Sequence, residues 1–139
     1  MQAALRSRRY GPYTLQAAIA AVHAEAPSAQ ATDWAEVAGL YEALFAIEPS
    51  PVVALNRAVA LAMRDGPQAG LPLVDTLVAS EPLAHYHLAH VARADLLRRA
   101  GKHDAARAAY GRALALTTQA PERRHLEKCL RRLVVANNI

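Results

Sequence analysis

Apolar positions recur along the chain at the three-and-four spacing of an α-helix. Leu15, Ile19 and Val22 form one stripe, Trp34, Val37, Tyr41 and Leu44 a second, and Val52, Leu55, Val59 and Met63 a third. Ala106, Tyr110 and Ala113 continue the pattern, as do Leu126, Leu130 and Leu133. Side chains so spaced share one helix face and give each segment something to bury. Between the stripes fall Gly11-Pro12, Pro27, the EPSP of Glu48 to Pro51, Asp65-Gly66-Pro67, Glu81-Pro82, Gly101 and Pro121. Such breaks mark helix ends. The pattern predicts about seven helices, over 13–25, 33–47, 51–64, 67–80, 84–100, 103–117 and 121–135. Asp33 stands where an N-cap belongs. Pro72 lies inside the fourth segment. An interior proline costs a helix about 3 kcal/mol, so a late start or a kink is expected there.

The segments also repeat. AIEPSPVVALNRAVALAMRDG and ASEPLAHYHLAHVARADLLRRAG share Glu-Pro, then Arg-Ala, then a terminal Gly. Pro49 to Pro82 spans 33 residues, Gly66 to Gly101 spans 35, and EALFAI at 42–47 matches RALALT at 112–117 after two such periods. A two-helix unit of about 34 residues is the period of tetratricopeptide repeats. In GKHDAARAAYGRALALT, Ala106 and Ala113 let neighbouring helices approach while Tyr110 fills the space between them. The fold expected is all-α, a tetratricopeptide-repeat-like stack of helical hairpins over 11–139, preceded by a basic arm or linker end at 1–10.

Composition narrows the picture. The chain of 139 residues is 53% hydrophobic but only 5% aromatic, so its core is built from Ala, Leu and Val. Charge is uneven: residues 81–139 hold 11 Lys/Arg against 5 Asp/Glu, and residues 1–80 hold 5 against 7. The basic half can meet an acidic partner or nucleic acid, or it is a solvated helix face. One cysteine, Cys129, cannot form an internal disulfide and fits a reducing compartment. No apolar run approaches the roughly 18–20 residues of a membrane span, and no long apolar core follows the N-terminal basic residues. A cytoplasmic location without membrane contact is expected.

With the repeats in place, GPYTLQAAIAAVHAEA at Gly11–Ala26 and SPVVALNRAVALA at Ser50–Ala62 carry a resemblance. Together with TDWAEVAGLYEAL, ARADLLRRAGKHDAARAAYGRALAL and ERRHLEKCLRRL, they resemble the tetratricopeptide-like C-terminal extension of a group of bacterial extracytoplasmic-function RNA polymerase sigma factors. The resemblance runs from about Gly11 to Leu133. The two sigma core regions that bind polymerase and read promoter DNA have no counterpart in these residues. The resemblance therefore implies a regulatory role within a transcription factor, with the sigma core and RNA polymerase as partners, rather than transcription initiation itself. A freestanding adaptor holding a peptide or protein tail in its groove is the alternative.

Candidate residues follow from both readings. Gly11, Pro12, Tyr13 and Gln16 form a docking element toward the sigma core if the resemblance holds; otherwise Gln16 and His23 are hydrogen-bonded groups beside the core. Asn56, Arg57 and Arg93, in corresponding helices of two repeats, suit a groove that grips a peptide backbone or carboxylate, since arginine offers paired donors. Alternatively they tie neighbouring helices together or face solvent. Arg124, Lys128 and Arg131 make the last helix basic on its outer face, about 200° from its leucines. That face either caps the repeat array or binds DNA or an acidic protein. Direct DNA contact has no aromatic interleaving to support it. His87 and His90 share a helix face, but no zinc-protease spacing surrounds them, so no metal or cofactor is expected. No phosphate-cradling loop, nucleophile elbow or Cys/His pairing points to catalysis, and Cys129 reads as a small buried hydrophobe.

Overall fold

The computed structural model describes residues 11–25 and 32–137. Among them the chain is all-α: α1 Pro12–Glu25, α2 Trp34–Ile47, α3 Pro51–Asp65, α4 Pro67–Val78, α5 His87–Arg99, α6 His103–Leu116 and α7 Ala120–Asn137, with a short 3-10 turn at Leu83–His85. The helical hairpins expected from the repeat period are present. The basic arm at 1–10 and the Pro27 break lie outside the described residues.

The helix ends follow from local chemistry. Asp33 caps α2 by accepting the Glu36 N–H at 3.1 Å, and Ser50 caps α3 by accepting the Val53 N–H at 3.1 Å. Pro51 occupies the first turn of α3, where no N–H is needed. Gly101 closes α5 with φ +80°, its N–H bonding the Arg98 carbonyl at 3.0 Å while the Lys102 N–H reaches back to Leu97 at 2.9 Å. This left-handed closure satisfies carbonyls that the helix end would leave open. At the end of α6, Arg123 does the same work from a side chain, donating to the Leu114 and Thr117 carbonyls at 2.8 and 3.2 Å.

Two expectations are corrected. The late start at Pro72 does not occur: α4 begins at Pro67 and runs through Pro72 to Val78. Pro72 faces solvent while its neighbours Leu71 and Val74 are buried. Burial of that apolar face against α5 outweighs the missing N–H, because packing rather than propensity holds most helices. The predicted fifth helix also divides. Tyr86 is extended, and α5 starts only at His87, with His90 Nε2 lying 2.7 Å from the Ala84 carbonyl of the preceding turn.

The chain divides into two compact units at Gly66–Pro67. In the first, α2 and α3 pair as a hairpin and α1 packs on α2. Its core centres on Leu15, Val37, Ala38 and Leu44, all at most 2% exposed. In the second, α5 and α6 form the closest hairpin, flanked by α4 on α5 and α7 on α6. Alanines 89, 94, 106, 109 and 113 are buried where these helices meet, and the fully buried Tyr110 fills the space they leave. Small facing residues allow close approach, and each large side chain fully buried contributes about 1.5–3 kcal/mol. The units differ in charge: residues 1–66 hold five Lys/Arg against six Asp/Glu, residues 67–139 eleven against six.

Candidate functional site

In the first unit, α1, α2 and α3 enclose an open cleft of about 460 Å³. From α1 come Gln16 and Ile19, from α2 Tyr41 and Leu44, and from α3 Val53 and Asn56, with Glu48 and Ser50 at the α2–α3 turn. Gln16 lies one position beyond the buried Leu15, so its side chain leaves the core at the cleft edge. Asn56 follows the buried Leu55 in the same way. The arrangement brings together one residue of the predicted docking element and one of the predicted groove. Two primary amides offer donors and acceptors together, the pattern that matches a peptide backbone. Burial pushes the Tyr41 hydroxyl above its ordinary value, so it stays a neutral O–H. Exposed Val52, 42% accessible, adds an apolar surface at the rim.

The other predicted residues are distributed differently. Gly11 is exposed, and its carbonyl accepts the Leu15 N–H at 3.2 Å as α1 begins at Pro12. The side chains of Pro12 and Tyr13 lie outside the described residues. Arg57 Nε donates to Glu42 at 2.5 Å, and its guanidinium stands 5.6 Å from the Phe45 ring centre. Arg93 Nε donates to Asp75 at 2.7 Å. Both arginines thus bridge consecutive helices of their own unit. Arg124, Lys128 and Arg131 are exposed on α7, opposite the buried Leu126 and Leu133.

Among the described residues the histidines do not gather into a metal centre. His85 pairs with Glu81, His87 Nε2 lies 2.9 Å from Glu122, and His90 is buried against Ala84. His23 instead meets the Trp34 ring edge-on at 5.4 Å. Among the described residues no three His, Cys, Asp or Glu side chains gather closely enough to hold a metal. One reading of the sequence is corrected: Cys129 is only half-buried, and its Sγ lies 3.7 Å from His125 Nε2, one helical turn away. Burial and the nearby Asp95 raise its pKa, so the thiol is held protonated rather than activated.

Sequence reasoning missed Tyr41 and Glu48 as cleft residues. Tyr41 was legible only as part of an apolar stripe, and Glu48 only as part of a helix break. Their convergence with Gln16 depends on how α1 settles on α2.

No family model matches the chain. Over 119 residues, 86% of its length, it is 50% identical to an uncharacterized protein of Rhizobium meliloti (strain 1021), and it spans 28% of that protein.

Proposed function

We propose that the chain is a non-catalytic interaction domain that regulates transcription as the C-terminal extension of an extracytoplasmic-function sigma factor. Its partner is an extended segment of the sigma core or of RNA polymerase, held in the cleft of the first unit. The observation that carries this reading is the convergence of Gln16 and Asn56 on one cleft between paired helices. The amides would bond the backbone of the segment, and the exposed Val52 with the half-buried Tyr41 would meet its apolar side chains. The motifs that resemble the sigma-factor extension include both residues. The relative from Rhizobium meliloti supports the reading in one respect: most of that protein lies outside the shared segment, so there the segment belongs to a longer chain.

The freestanding adaptor has less support. A groove that grips a terminal carboxylate needs unengaged arginines, and Arg57 and Arg93 are already held by Glu42 and Asp75.

Deleting residues 11–139 from a full-length factor that carries them tests the proposal. Transcription from its target promoter is expected to change several-fold while the truncated factor remains folded. Promoter output indifferent to the deletion would overturn the regulatory role.

A further inference from the structure

The second unit has its own cleft, about 550 Å³, walled by α5, α6 and α7. That volume is in the range of small-molecule sites, roughly 300–1,000 Å³. Two arginines line it from separate helices. Arg98 enters from α5 and Arg132 from α7. Arg57, Arg64, Arg93 and Arg107 each pair with a carboxylate, Arg123 is bonded to carbonyls, and Arg99, Arg112, Arg124 and Arg131 lie exposed outside this cleft. Arg98 and Arg132 make no ion pair with a carboxylate among the described residues, although the Asp95 carboxylate acts on Arg98 through space. Arg98 gives only its Nε, at 3.4 Å, to the Tyr110 hydroxyl. The outer fork of its guanidinium is left open.

The one acidic group lining the cleft is already engaged: Asp95 accepts a hydrogen bond from the hydroxyl of the fully buried Tyr110. That hydroxyl keeps its proton, because burial and then the Asp95 bond raise its pKa. Asp95 is therefore tied to the protein interior by a neutral donor. Two imidazoles complete the wall. His103 buries an Nδ1 atom that finds no hydrogen-bond partner among the described residues, and the exposed His125 places its Nε2 3.7 Å from Cys129 Sγ. A buried polar atom without a partner is uncommon in a folded protein and calls for a ligand or water.

We propose that this cleft is a binding site for a small organic anion with a carboxylate or phosphate head. Two guanidinium groups without carboxylate partners present planar donor forks, which fit either oxyanion with paired, charge-assisted bonds. The imidazoles of His103 and His125 supply further N–H donors around the head group. The site lies wholly in the second unit, so this proposal does not rest on the role assigned to the first-unit cleft.

An NMR titration of the whole chain, with phenyl phosphate and with benzoate at constant ionic strength, tests it. Saturable shifts are expected at amides of Asp95, Arg98, His103 and 125–132 for at least one probe, and the better probe identifies the head group. Arg132→Gln, at an exposed position that leaves the core intact, is expected to weaken binding about tenfold or more, as loss of a charge-assisted pair implies. Lys128→Gln removes an equal charge from the same helix outside the cleft and is expected to leave the affinity unchanged. Absence of saturable shifts with both probes would overturn the proposal. So would equal weakening by the two variants, which is the signature of diffuse surface charge.

Discussion

Tyr110 shows how one residue serves both packing and polarity. Its ring occupies the space that flanking alanines leave between α5 and α6, and its hydroxyl is shared between Asp95 and Arg98. Tyr110→Phe keeps the ring and removes the donor, leaving Asp95 without its bond. The variant is expected to lose about 1–2 kcal/mol by urea denaturation at neutral pH. The same bond gives stability a sign at high pH. Burial, and next the Asp95 contact, raise the Tyr110 pKa above the ordinary tyrosine value of 10.0. The proton is retained longer in the folded chain than in the unfolded one. This contribution is therefore complete below about pH 10 and falls as pH rises beyond it toward the folded value. Denaturation at pH 9 and pH 11 is expected to show a shallower decline for Tyr110→Phe than for the parent. An equal decline in both would remove Tyr110 as the cause.

At the scale of elements, caps and packing divide the work. Ser50 satisfies an N–H at the start of α3 that nothing else in the turn is seen to accept, so Ser50→Ala is expected to cost about 1 kcal/mol. Pro72 is the opposite case, a residue that opposes its own helix. It is exposed, and alanine there restores a helix N–H without disturbing the buried Leu71 or Val74. Pro72→Ala is expected to raise stability by on the order of 1 kcal/mol, less than the 3 kcal/mol helix-interior difference, because alanine also frees the unfolded chain. Thermal melts of both variants check the two signs. The contrast shows what was legible in the sequence. The Asp33 cap, the Gly101 closure and the Ala-Tyr-Ala face of α6 depend on near neighbours, and spacing reveals them. The continuity of α4 and the separation of α5 from its preceding turn depend on tertiary burial, which overrides local propensity. The cleft residues were legible singly, as Gln16 and Asn56, but not together. Nor did spacing reveal that Arg57 and Arg93 would each find a carboxylate on the preceding helix. Those meetings depend on the rotation of one helix against another, which an apolar stripe fixes only coarsely.

At the scale of the molecule, the two compact units carry two clefts of different chemistry. The first is lined by neutral amides and apolar side chains with one glutamate, and the second by arginines and histidines. The regulatory role proposed above needs a surface for a partner, and the first cleft is the surface that joins residues singled out from separate motifs. The most direct measurement is in vitro transcription by a full-length factor carrying the combined Gln16→Ala and Asn56→Ala substitutions, with the melting of residues 1–139 followed in parallel. Gln16 is exposed and Asn56 half-buried, so the isolated domain is expected to stay within about 1 kcal/mol of the parent. Promoter output is expected to fall several-fold. Output at the parental level with a folded, unaltered domain would contradict the assignment of this cleft as the docking site.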